Sequence, residues 1–108
     1  MIKRYYDMDG NLGVLVHKTH GLGWASEYGM DVALDERIIK AYLDRVDKDT
    51  LFDLLDEWGY GRITQYGVLP DWDDMDLVMV PKGSQFRINE YDGCESVEIY
   101  NKYNWYIA

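Results

Sequence analysis

Cysteine, proline, histidine and long apolar runs are all scarce in this chain, and each scarcity closes off a class of protein. The single cysteine, Cys94, excludes an intramolecular disulfide and any zinc site built from several thiolates. No apolar stretch approaches the ~18 residues of a membrane-spanning helix. The opening MIKRYYDMDG lacks the apolar segment of a secretory signal, so a cytoplasmic protein with no membrane partner is expected. Basic residues are also few. Eleven lysines and arginines against twenty acidic residues give a net charge of -9, which repels nucleic acid and anionic lipid. At 108 residues and 47% hydrophobic content, the chain is expected to fold as one domain over 1–108.

What is present is unevenly spread. Residues 44 to 76 hold ten carboxylates against Arg45, Lys48 and Arg62, so seven of the nine net negative charges lie in under a third of the chain. Within that segment, LPDWDDMDLVMV sets Asp71, Asp73, Asp74 and Asp76 directly against an apolar run. The aromatics are abundant too, with ten tyrosines, four tryptophans and two phenylalanines.

Periodicity predicts an α+β fold, a small antiparallel sheet with a helical hairpin packed on one face. IKRYYDMDGNLGVLVH reads as two short strands around an Asp9-Gly10 turn, with its register open. Residues 18 to 34, which include Gly21, Gly23 and Gly29, read as a loop. In LDERIIKAYLDRVD, Asp35 is a natural helix N-cap, and Ile38, Ile39, Tyr42, Leu43 and Val46 make an apolar stripe. A second helix follows, with Leu51, Leu54, Leu55 and Trp58 on its inner face and Gly59 as its stop. GRITQYGVLPDWDD is expected to be irregular, with a short strand near Ile63. MDLVMV reads as a strand covered on both faces. A hairpin closes the chain. With Asp92-Gly93 as its loop, Phe86 opposes Ile99, Arg87 opposes Glu98, Ile88 opposes Val97 and Glu90 opposes Glu95. YNWYIA supplies a last strand, with Tyr103, Trp105 and Ile107 alternating inward.

Chemical motifs are mostly excluded by spacing. A calcium loop starting at Asp71 needs glycine sixth and glutamate twelfth, where Asp76 and Lys82 stand. DMDGN, residues 7 to 11, carries only the front of such a loop and is better explained as a turn. His17 and His20 are spaced as H-x-x-H but straddle a strand end and a glycine-rich loop, without the glutamate of a zinc-peptidase helix. No phosphate-binding glycine motif and no G-x-S-x-G occurs. Neither a resident metal nor a cofactor is implied, and catalysis is the minority reading. Its form would be a small metal- or ligand-binding hydrolase using His17, His20 and the Gly21–Trp24 loop.

The acidic segment supports an interaction surface instead. Asp49, Asp53, Asp56 and Glu57 lie opposite the apolar stripe of the second helix, and positions 49, 53 and 57 climb one face at about 6 Å per step. Such a row can imitate a phosphate row, although a merely solvated helix face is the commoner explanation of charge runs. Tyr60, Tyr66 and Trp72, interleaved with Asp71, Asp73, Asp74 and Asp76, are the candidate aromatic anchors.

GVLVHKTHGLGWASEY, LDERII and VPKGSQFRINEYDGCESVEIY together resemble short open reading frames of bacteriophages and bacteria. Those chains combine a hydrophobic strand and a G-x-G-W loop with a closing strand–EYDG–strand hairpin. The resemblance implies a small phage-borne accessory protein in the host cytoplasm. Such proteins often bind and block a host machine, including CRISPR effectors and restriction enzymes. It brings no cofactor or catalytic residue. The expectation is thus an acidic, non-enzymatic inhibitor, monomeric or homodimeric, of a host protein with a basic surface, a nuclease or nucleic-acid-binding complex. A homo-oligomer built through the tyrosine-rich C-terminal strands is a third reading.

Overall fold

The strand about which the fold is built is LGVLVH, and its side chains explain why. In the computed structural model, which describes residues 3–18, 32–66, 69, 71–91, 94–100 and 105–107, it forms β1 (Leu12–His17). Leu12, Val14 and Val16 point to one side and Leu15 to the other, and all four are buried, so β1 is covered on both faces. It is the central strand of an antiparallel sheet of order β2-β1-β3, with β2 (Val32–Ala33) and β3 (Met75–Val80) as its neighbours. Leu15 faces Ala33 on one side and Leu77 on the other, while Val14 faces Val78 and Leu12 faces Val80.

The chain before β1 bends back on it. Tyr6 bridges Leu12, and Gly13 donates its N–H to the Tyr5 carbonyl at 2.9 Å. The Asp7 carboxylate closes the turn by accepting the N–H groups of Asp9 and Asn11, both at 2.9 Å, and Gly10 supplies the φ of +84°. The expected turn is therefore present, but the arm before it is no strand and meets β1 at a single bridge, Tyr6–Leu12, while Arg4 bridges Asp35 instead. Val32 and Ala33, read from sequence as loop, instead pair with β1.

The helices are α1 (Glu36–Leu43), α2 (Lys48–Glu57) and α3 (Gly61–Tyr66). Asp35 caps α1 and Asp47 caps α2. Ile38, Ile39, Leu51 and Leu55 join Leu15, Ala33 and Met75 in one core cluster, which packs the helical pair on the sheet. Leu43, assigned to the α1 stripe, is instead exposed. Between α1 and α2, Val46 N–H reaches Ala41 O and Arg45 N–H reaches Tyr42 O, with Arg45 in the left-handed region at φ 52°. The end of α2 is the same motif with the expected glycine. Tyr60 N–H bonds Leu55 O, Gly59 N–H bonds Asp56 O, and Gly59 takes φ +94°.

Two expectations are corrected. GRITQY is helical rather than irregular or extended, because burial of Tyr60 and Ile63 outweighs the poor helix propensity of Gly61, Ile63 and Thr64. Among the described residues β3 is an edge strand, and it is not covered on both faces. Met75 and Val80 are buried, Leu77 to Met79 half-buried and Asp76 exposed.

The C-terminal strands β4 (Gln85–Tyr91), β5 (Cys94–Tyr100) and β6 (Trp105–Ile107) form a second antiparallel sheet of order β4-β5-β6. Phe86 faces Ile99, Arg87 faces Glu98, Ile88 faces Val97 and Glu90 faces Glu95, the register expected from the sequence. Asp92, Gly93 and Tyr103 lie outside the described residues. The molecule is an α+β protein whose described residues form two three-stranded sheets where one was expected, and β5 runs beside β2.

Gly13 is required by the close approach of the N-terminal arm. A Cβ there would lie 2.6 Å from Tyr5 Cδ1. Gly13→Ala is expected to cost about 1–3 kcal/mol in a denaturant titration. Gly61→Ala, with nothing within 4 Å of the added carbon, is expected to be neutral or to stabilise by up to about 1 kcal/mol.

Candidate functional site

The α2 face that does not meet the core is set by its two ends. Asp47 accepts the Thr50 N–H at 2.8 Å and Gly59 unwinds the chain after Trp58, so the helix is fixed in rotation by Leu51 and Leu55 beneath it. Asp49, Asp53, Asp56 and Glu57 are then all exposed, as the spacing predicts. Among them sits Phe52, an aromatic left 40% exposed. Phe52 lies three residues after Asp49 and four before Asp56, so carboxylates border it on its own helix face. The signal for it was in the sequence. The 51-54-55-58 stripe is centred near Leu51, and Phe52, one residue on, is turned about 100° away from it.

The second acidic stretch meets the first at the α1–α2 junction. Asp71 caps the 3-10 turn Trp72–Asp74 by accepting the Asp73 N–H at 3.2 Å. Trp72 donates its indole N–H to Val46 O at 2.7 Å and sets its ring edge-on to Tyr42, with centroids 5.7 Å apart. Arg45 reaches Asp73 at 3.4 Å. Asp71, Asp73, Asp74 and Asp76 are exposed.

The proposed aromatic anchors fare differently. Tyr60 is only 7% exposed and donates its hydroxyl to Asp35 at 3.2 Å, so its ring belongs to the core and is not offered to a partner. Trp72 is half-buried with its polar atom used, which makes it a brace between the two acidic segments. Tyr66 ends α3, and its side chain lies outside the described residues.

Sequence reasoning found Asp35 as a cap but not the cluster it anchors. Its carboxylate is fully buried and accepts the Arg37 N–H at 2.9 Å, Arg37 Nη2 at 2.7 Å, Arg37 Nε at 3.1 and 3.2 Å, and the Tyr60 hydroxyl. The Arg37 guanidinium also lies 4.9 Å from the Trp58 ring centroid. Hydrogen bonding to Asp35 raises the Arg37 pKa further, so this cation stays charged. No sequence spacing joins Asp35 to Tyr60; only the fold does.

The metal readings gain nothing from the geometry. The Asp7 carboxylate is taken up by its own turn, with Oδ2 accepting Asn11 Nδ2 at 2.9 Å. Among the described residues no group of three or more His, Cys, Asp and Glu side chains is placed to hold a metal. His17 is half-buried at the end of β1, while His20 and the Gly21–Trp24 loop lie outside the described residues. Also among the described residues, no helix is long and apolar enough to cross a membrane.

No protein-family model, curated protein or solved structure matches the chain. The acidic face is therefore interpreted from its own chemistry.

Three carboxylates have pKa values below the ordinary range. The Thr50 N–H lowers Asp47, the Asn11 N–H lowers Asp7, and Lys40, 2.6 Å away, lowers Glu36. A lowered folded-state pKa means stability that is complete at neutral pH and fades as the pH falls below about 5. The stability difference between wild type and Asp47→Ala is accordingly expected to shrink as thermal melts are run at progressively lower pH. Asp35→Ala removes the α1 cap and an acceptor used by both Arg37 and Tyr60, for an expected loss of about 1–3 kcal/mol. Asp73→Ala removes only an exposed ion pair and should change stability by under about 0.5 kcal/mol in the same titration.

Proposed function

We propose that the chain is a non-enzymatic binding protein, an acidic inhibitor of a host nucleic-acid-handling defence enzyme of the CRISPR or restriction type. It acts by protein–protein contact in the host cytoplasm. The observation that carries this reading is the solvent face of α2, where Asp49, Asp53, Asp56 and Glu57 are all exposed around Phe52. A carboxylate row on a rigid helix matches a surface evolved to hold phosphates, and it speeds encounter with such a surface by electrostatic steering. An exposed aromatic inside the row adds an apolar anchor, which a plain solvated helix face does not need. Asp71, Asp73 and Asp74 extend the negative field from the neighbouring turn, whereas Asp76 lies on β3 and points to the sheet face away from the helices. The resemblance to phage-borne accessory proteins supports the same class of target.

The test is capture by the immobilised protein from host lysate at low and moderate salt, followed by an activity assay of any recovered nuclease. Wild type is expected to retain a basic nucleic-acid-binding complex, to release it as salt rises, and to inhibit it. Reversing Asp53, Asp56 and Glu57 to Lys takes the net charge from -9 to -3. Affinity should then weaken by at least about a hundredfold with the melting transition intact. Phe52→Ala should weaken it about tenfold with little change in salt dependence. Equal inhibition by the folded triple variant would remove α2 from consideration.

A further inference from the structure

β3 ends the first sheet, and the phase of its hydrogen bonds is fixed. Lys18 donates its N–H to Asp74 O at 2.8 Å, continuing the register in which His17 faces Met75. Antiparallel partners bond at every second residue. Asp76, Val78 and Val80 therefore bond to β1, and the backbone groups of Met75, Leu77 and Met79 turn to the opposite side. The Tyr42 hydroxyl, donated to Met75 O from outside the ladder at 3.4 Å, agrees with that phase. Among the described residues no strand pairs with this side. Edges are commonly protected by lysine, proline or a bulge, yet MDLVMV carries only Asp76, and Leu77, Val78 and Met79 are half-buried.

We propose that this edge pairs antiparallel with the same edge of a second copy of the chain, about a twofold axis at Val78. This goes beyond the inhibitor reading and does not rest on it. The register follows from what each backbone and side chain can offer. With the axis at Val78, Leu77 faces the partner's Met79, and each pair exchanges two N–H···O bonds. Met75 then faces the partner's Pro81. Proline has no N–H to give, and the Met75 carbonyl already takes the Tyr42 hydroxyl, so the missing donor and the occupied acceptor coincide. The Met75 N–H is already given to Trp72 O and the Pro81 carbonyl already accepts the Ser84 N–H, so this end pair adds no bond and leaves no donor or acceptor wanting. One step further, Asp74 faces the partner's Lys82, both exposed and of opposite charge.

Neighbouring registers are worse. An axis at Met79 sets Leu77 O against Pro81, which cannot donate. An axis at Leu77 sends the Met79 N–H to the carbonyl that Tyr42 occupies and leaves Asp74 opposite Val80. The self-complementary register is what selects a second copy over an unrelated strand.

Sedimentation of the intact protein at about 100 μM tests the pairing, with circular dichroism reporting the fold. Wild type is expected to be a dimer that dissociates on dilution. Met79→Pro deletes an outward N–H without touching the β1 ladder and should leave a folded monomer. Independently, Lys82→Glu should weaken the dimer about tenfold, and adding Asp74→Lys should restore it. A wild-type monomer at that concentration would overturn the proposal. So would a dimer indifferent both to Met79→Pro and to the charge exchange, which would locate the contact elsewhere, such as the tyrosine-rich C-terminal strands.

Discussion

A carboxylate with no solvent exposure must find all its partners within the protein, and Asp35 finds them on two elements. It caps α1, holds the guanidinium of Arg37, and receives the hydroxyl of Tyr60 from the turn between α2 and α3. Its backbone bridges Arg4, and the next N–H, that of Glu36, bonds Lys3 O at 2.8 Å, so the N-terminal arm is tied to the same point. Burying an ion costs several kcal/mol, and only dense hydrogen bonding offsets that. The gain is in uniqueness. Any packing that moves Arg37 or Tyr60 away takes partners from a buried charge, so the alternatives are penalised more than the native arrangement is rewarded.

Much of the architecture was legible locally. The Asp35 cap, the glycine stop after α2 and the register of the C-terminal hairpin followed from residue types and spacing, because each depends on neighbours within a few positions or on a turn that sets the pairing. What was not legible depended on distant chain. LGVLVH and MDLVMV are equally apolar, and nothing within either says which is central and which is at the edge. α3 runs against its own propensities and is helical because Tyr60 and Ile63 are drawn into the core.

The same division explains the candidate site. Charged residues on α2 fell on the outer face because the inner stripe determines the helix's rotation. Aromatics were harder to assign, since a tyrosine suits a core and a surface equally well. Tyr60 was drawn inward by Asp35, and Trp72 by the carbonyl of Val46, two partners that lie 25 and 26 residues away along the chain. Phe52 has no polar atom to satisfy and is turned away from the core by the stripe centred near Leu51.

The centrality of β1 has a consequence for how the chain reaches this state. Its long partner, β3, lies roughly sixty positions downstream, with all three helices in between. Closing so large a loop costs entropy before any ladder bond returns it, and domains rich in such distant pairings fold in milliseconds to seconds. During synthesis the first sheet must wait until Val80 has left the ribosome. Until then LGVLVH is an apolar strand with its main partner missing, sheltered by the N-terminal arm before it and by β2 and the helical segment, which leave the ribosome before β3 does.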